Sequence, residues 1–371
     1  GMQESKLQDN AREQRWKWED VRVDLFEANM EQLKLTQRQQ VGSMFINEAK
    51  NIVVTVLAAS AVIEGSITLG MMLAIQYIIG QLSVPVSQLA NYLYEIQDVR
   101  ISLDRIHEVK NKKDENEGRT ALLDTAEPSI SICNLSFRYE GMAEDVIRDV
   151  NLVVRPQETV AIVGSSGSGK TTLLKLMLQY YQPCEGCISI GGVDLRRVNL
   201  QSLWGRCGVV MQDGYIFSDT IARNIAATGG EVDHARLEYA ADVAMLKDFV
   251  ESLPLKYDTL IGDEGRNLSS GQRQRVLIAR AVYKNPDILF FDEATNALDA
   301  TNEKCILQNL ETFLQGRTAV IIAHRLSTVK NADKIVVLEG GRIVENGTHA
   351  GLLAEHGAYY RLVKNQLELG G

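Results

Sequence analysis

Cysteine is scarce in this 371-residue chain. Cys133, Cys184, Cys187, Cys207 and Cys305 make 5, an odd number. No complete disulfide framework is implied, and reduced thiols in a cytosolic setting fit better. Basic residues are in deficit too: 39 Lys and Arg stand against 48 Asp and Glu, for a formal net charge of -9. Nucleic acid is therefore a poor default partner, because phosphate backbones demand clustered Lys and Arg. No secretory signal opens the chain, since Gly1 to Lys6 runs into charged residues without an apolar segment. A Gly ahead of Met2 is an unusual natural start, so the chain reads as part of something longer. What remains is ordinary: 45% hydrophobic and 23% charged residues exclude wholesale disorder and collagen-like repeats. The length suits two or three domains of about 100–200 residues each. A mean hydropathy of -0.11 looks soluble, but it averages over very uneven segments.

Residues 4–40 hold no Pro and are rich in Glu, Gln, Arg and Lys. Leu25, Phe26, Met30, Leu33 and Leu35 recur at roughly helical spacing, which predicts a long amphipathic helix of the coiled-coil or bundle kind. The character then changes. Asn51 to Ile63 gives 13 residues without charge, and Gly65 to Tyr94 gives 30 more. The second run has length to spare for a bilayer, where about 20 residues suffice. The first suffices only if Met44 to Lys50 extends it, with Lys50 reaching outward. The Glu64-Gly65-Ser66 connection has no basic residue, whereas Arg38, Lys50, Arg100, Arg105, Lys110, Lys112 and Lys113 flank the outer ends. That asymmetry is the positive-inside pattern of a hairpin with both arms in the cytoplasm. Gln76, Gln81, Ser83, Ser87, Gln88 and Asn91 are polar for lipid and suit a helix facing a bundle or wet cavity. Hydropathy alone leaves two readings: a pair of membrane spans, or buried helices of a soluble protein.

Residues 111–128 are charged and end in Pro128, which marks a linker. Short apolar strands then alternate with helices: Ser129–Phe137, Asp149–Val154, Thr159–Val163, Val209–Met211, Ile288–Phe291, Ala319–Ile322 and Lys334–Leu338, with a helix from Lys170. Alternation of this kind argues for an α/β fold with a mainly parallel sheet.

Gly164-Ser165-Ser166-Gly167-Ser168-Gly169-Lys170-Thr171 matches GxxxxGK[ST], follows an apolar strand and opens a helix that continues with Thr172. Glycines let backbone amides turn onto phosphates, and the helix N-terminus adds its positive end. Lys170 supplies a point charge and the Thr171 hydroxyl a Mg²⁺ ligand. About 120 residues downstream, an apolar strand ends in Asp292-Glu293. Asp292 is placed to hold Mg²⁺, and Glu293 to polarise an attacking water. Cys184 and Cys187 form a CxxC without a second pair or His partner, so incidental thiols are the expectation rather than zinc.

Leu268-Ser269-Ser270-Gly271-Gln272, followed by Arg273-Gln274-Arg275, resembles the LSGGQ signature and RQR of ABC transporter nucleotide-binding domains. Further elements fall in the family's order: Tyr139 resembles the aromatic that stacks on adenine, and Gln212 the Q-loop glutamine that reaches the metal. Asn296-Ala297-Leu298-Asp299 is similar to the D-loop, and His324 to the switch histidine. The sequence departs from the family pattern at Ser270, usually Gly, and at Asp263-Glu264, where Glu and a basic residue are common.

The resemblance implies a P-loop NTPase domain of ABC type over 129–370, with a RecA-like α/β core, an antiparallel β subdomain and a helical subdomain. It implies ATP and Mg²⁺ as cofactors and a head-to-tail dimer, with a second copy or a paralogous half-transporter. Each ATP would lie on one P-loop beneath the partner's Ser269, Ser270, Gly271 and Gln272. Glu293 would orient water, with Lys170 and His324 on the γ-phosphate.

The likeness extends to residues 1–110, which look like the end of an exporter's transmembrane domain. On that mapping 3–40 is the coupling-helix region, and 44–63 and 68–96 are the fifth and sixth spans. Earlier spans have no counterpart, so the chain reads as the C-terminal part of a half-transporter in a bacterial inner membrane. The stretch Trp204 to Ile221 is similar to bacteriocin and peptide exporters, which implies peptide cargo; lipid or small-molecule cargo is the alternative. A soluble ABC ATPase of translation or repair would need a basic surface, and the retention of Lys170, Asp292, Glu293 and His324 argues against a nucleotide-binding scaffold without turnover.

Overall fold

The computed structural model describes residues 11–110, 116, 118–124, 128–227, 230–262, 267–293, 300–323 and 329–369. The chain divides into two compact units, Gly1–Lys112 and Lys113–Gly371.

The first unit is a hairpin of two long helices, α1 (Ala11–Ile63) and α2 (Leu69–Lys110). At about 1.5 Å per residue each exceeds the thickness of a bilayer. Gly65, with φ of 75°, makes the tight turn between them, and its amide donates to Val62 O at 3.0 Å. A polar contact joins the arms, with Gln76 Nε2 donating to Thr55 Oγ1 at 3.3 Å. Apolar side chains are left outward, Phe45 at 75% and Ile63 at 86% exposed. Two stretches, Arg15–Ile63 and Leu69–Val86, are long and apolar enough to cross a membrane. The helix continues through Pro85.

The second unit is built on a six-stranded sheet. Its members are β3 (Thr159–Val163), β6 (Cys207–Val210), β9 (Ile288–Asp292), β10 (Thr318–Ile322), β11 (Lys334–Glu339) and β12 (Arg342–Gly347). Their order is β12-β11-β3-β10-β9-β6, parallel except for the antiparallel β11–β12 pair at the edge. The central strands read as continuous apolar runs because both faces are covered. In β3, Val160 and Ile162 enter one core while Ala161 and Val163 enter the other; Phe290 and Phe291 of β9 divide the same way.

A separate antiparallel sheet, β2-β1-β4-β5, comprises β1 (Ile130–Phe137), β2 (Ile147–Val154), β4 (Glu185–Ile190) and β5 (Val193–Asp194). The first two expected strands therefore belong here rather than to the parallel sheet. They run antiparallel because a direct connection over residues 138–146 joins their adjacent ends, whereas parallel neighbours need a longer crossover. Helix α3 (Lys170–Met177) follows β3, and α4 (Leu200–Arg206) precedes β6.

Between β6 and β9 lies a mainly helical insertion. It holds α5 (Ile221–Ala226), α6 (His234–Val243), α7 (Lys247–Glu251), α8 (Ser270–Tyr283) and a short ribbon of β7 (Asp219–Thr220) with β8 (Leu260–Ile261). Leu237, Ala240, Val276 and Ile278 pack it onto one face of the large sheet. Helix α9 (Ala300–Leu314) precedes β10, and α10 (His349–Ala354) with α11 (Ala358–Leu369) closes the chain. The expected α/β core, antiparallel β portion and helical portion are all present.

Candidate active site

The parallel strands β3 and β9 end at the same edge of the sheet, where the loop to α3 and the pair Asp292-Glu293 meet. Open α/β sheets bind ligands at such carboxyl ends. Gly164 leaves β3 with no room for a side chain, because a Cβ would stand 2.1 Å from Leu338 O of β11. Gly169, with φ of 102°, caps α3 and would drive a Cβ to 2.8 Å from Ile147 Cδ1. Backbone of the β11–β12 turn completes the support, since Gly341 N donates to Ser168 O at 3.2 Å. Within this frame Lys170 is 5% exposed and its Nζ donates to Gly164 O at 3.0 Å and Ser165 O at 2.9 Å. Burial pushes the Lys170 ammonium below its ordinary pKa, opposed by the charges of Glu293 and Asp292.

Thr171 Oγ1 donates to Asp292 Oδ1 at 3.3 Å. Asp292 is 1% exposed. Burial, its largest influence, pushes the carboxyl up, and Glu293 adds to that; the Thr171 hydrogen bond, Lys175 and Lys170 pull the other way. A hydroxyl and a carboxylate so close, both hard oxygen donors, suit Mg²⁺. Ser168 is buried within the loop, and its Oγ has no hydrogen-bond partner among the described residues. Ser165 and Ser166 are exposed on the loop, with Gly167 at φ of 78° between them and Ser168.

Glu293 stands just past β9 in a left-handed conformation, with φ of 52°. Outside glycine this costs about 1–2 kcal/mol. Its amide donates to Ile322 O at 3.1 Å and its carbonyl accepts from Gln274 Nε2 at 2.9 Å. Tyr139, half-buried, hydrogen-bonds through its hydroxyl to Thr172 Oγ1 at 3.0 Å. Its ring meets Tyr181 edge-on, with centroids 5.2 Å apart.

Ser269 caps α8 in a reciprocal box: its Oγ accepts from Gln272 N at 3.2 Å and its amide donates to Gln272 Oε1 at 3.0 Å. Ser270 is exposed at the first helical position, with half-buried Gly271 after it. Gln212 is exposed on the loop after β6. It lines a cavity of about 440 Å³ with Leu268, Ser270, Gln274 and Glu293. Buried Asn224 fastens the chain beyond this loop, its Oδ1 accepting from Phe217 N at 2.9 Å. Arg280 of α8 then donates to Asn224 O at 2.8 Å and Tyr215 O at 3.0 Å. The loop is thereby tied to the signature helix.

Lys170, Thr171, Asp292 and Glu293 are thus gathered at one edge. Asp299 with residues 296–298, His324, and the departure at Asp263-Glu264 lie outside the described residues. Cys184 is exposed, and Cys187 faces Cys133 across β1 and β4. Among the described residues, no group of three or more His, Cys, Asp or Glu side chains is placed to hold a metal ion. Two contributors escape motif reading: Gln274, visible only as the middle of RQR, and the Leu338–Gly341 backbone beneath the phosphate loop.

Residues 147–296 match the ABC transporter family. Over that segment the chain is similar to an ABC transporter domain. It is 41% identical over 330 residues to the leukotoxin translocation ATP-binding protein LktB of Mannheimia haemolytica, covering 89% of this chain and 46% of that protein. The Bibersteinia trehalosi LktB matches equally, at 41% identity. The chain thus spans about half the length of the curated relatives it matches. Its fold is similar to that of a bacterial Atm1-family ABC exporter solved with ATP bound, with a TM-score of 0.92 and 31% identity. The match covers 98% of this chain and 65% of that one.

Proposed function

We propose that this chain is the ATP-driven C-terminal portion of a bacterial exporter, with residues 44–63 and 68–96 in the inner membrane and 129–370 in the cytoplasm. The convergence of Lys170, Thr171, Asp292 and Glu293 at one sheet edge carries this reading. The phosphate-loop amides and Lys170 would hold the β- and γ-phosphates of ATP, and the Tyr139 ring would cover the base. Thr171, Asp292 and Gln212 would hold Mg²⁺, which when bound neutralises charge on those phosphates. Glu293 orients a water for in-line attack on the γ-phosphorus and takes up its proton as the bond to ADP breaks. His324 steadies the γ-phosphate.

A second copy, or a paralogue, supplies Ser269, Ser270, Gly271 and Gln272 over the nucleotide, and Asp299 lies at the same interface. The Ser269 amide is taken up by its own cap, which leaves the hydroxyl hydrogen for the phosphate. ATP binding favours the closed pair and hydrolysis releases it. Similarity to a leukotoxin-translocation protein supports a toxin-like peptide as cargo over a lipid. The test is ATP-dependent accumulation of labelled peptide in inverted vesicles bearing the intact transporter. Accumulation of lipid or small molecules, but not peptide, contradicts the cargo assignment.

A further inference from the structure

Gln274 is buried in α8, four residues beyond the first helical position of the signature, and its side chain leaves that helix for Glu293. The Nε2 group donates to the Glu293 carbonyl at 2.9 Å. The amide's orientation follows from chemistry, since a carbonyl only accepts. Both main-chain polar groups of Glu293 are then held from outside its own strand: the amide by Ile322 of β10, the carbonyl by Gln274. These two bonds hold a non-glycine residue at φ of 52°, and that conformation sets the direction of the Glu293 side chain.

We propose that Gln274 is a positioning residue for hydrolysis, coupling the helix that covers the partner's nucleotide to the carboxylate acting on the chain's own. This rests on the reading of Glu293 given above. Displacement of α8 as its signature engages a phosphate shifts the Gln274 amide, and with it the Glu293 peptide group. A carboxylate misplaced by about 1 Å costs on the order of 100-fold in rate. The two nucleotide sites of the dimer are linked through this side chain.

The test uses the intact transporter in vesicles with Gln274→Leu, Gln274→Glu and Glu293→Gln. Gln274→Leu keeps the bulk but removes the donor. It is expected to lower kcat about 10–100-fold while ATP affinity stays within about 2-fold. Gln274→Glu offers a donor only when protonated, and burial raises a carboxyl's pKa. Its rate relative to the unsubstituted protein should climb as pH falls from about 8 to about 6.

An unchanged kcat in Gln274→Leu, or parallel loss of kcat and ATP affinity, overturns the proposal. A flat pH ratio in Gln274→Glu does the same, and decides alone should the Leu variant not fold. Turnover retained in Glu293→Gln refutes instead the reading on which the proposal rests.

Discussion

Thr171 donates its hydroxyl to Asp292 Oδ1 at 3.3 Å, joining the first turn of α3 to the end of β9. This contact brings together two segments separated by 121 positions in sequence. It fixes a carboxylate that is almost wholly removed from water, and the energetics of that burial carry the first prediction.

Asp292 has its pKa raised in the folded state, chiefly by burial. The unfolded chain therefore gives up this proton more readily, and the ionised carboxylate detracts from stability. That penalty is absent at acid pH and develops as pH rises from the ordinary carboxylate range through the raised value. Asp292→Asn should raise Tm by a few degrees at neutral pH without nucleotide, with the gain vanishing at acid pH. The same variant should lose Mg²⁺-dependent hydrolysis. Calorimetry at both pH values, alongside an ATPase assay, checks the pairing.

Gly164 lies where a Cβ would meet Leu338 O at 2.1 Å. Backbone cannot yield as a flexible side-chain tip does. Gly164→Ala should cost about 1–3 kcal/mol in stability and weaken ATP binding. Fluorescent-nucleotide titration of the variant measures the second effect.

The thiols should react in the order of their exposure. Cys207 is buried, and burial pushes its pKa up to about 12, whereas Cys133 and Cys184 are exposed. Iodoacetamide near neutral pH should modify Cys133 and Cys184 in the native protein and reach Cys207 only after denaturation. Peptide mass spectrometry reads this directly.

Residues 44–96 place Phe45, Ile52, Leu57, Leu73 and Leu82 outward from their helices. The protein should require detergent or bilayer to remain dispersed. A detergent-free, monodisperse monomer contradicts the membrane assignment.

Local features were the most legible from sequence. β3 matched its expected bounds, because a short apolar run followed by a Gly-rich turn is a local pattern. Strand β12 was missed: it is an edge strand with half-exposed alternation, and its Arg342, Glu345 and Asn346 mask it. β4 likewise opens with Glu185-Gly186 beside a bulge in β1. Lys170, Thr171 and Asp292 could be picked out one by one, since each motif's spacing is set within a single turn or strand. Gln274 was not, because its partner is a main-chain carbonyl 19 positions away and no local pattern encodes such a bond. The same holds for Leu338 O beneath Gly164.

The central claim, hydrolysis driven by Glu293, is tested most directly by Glu293→Gln in the intact, membrane-reconstituted transporter. Turnover and ATP binding are measured on the same preparation. The expected result is ATP binding within about 2-fold of the unsubstituted protein, with steady-state hydrolysis reduced by at least about 100-fold. Hydrolysis at the unsubstituted rate would contradict it.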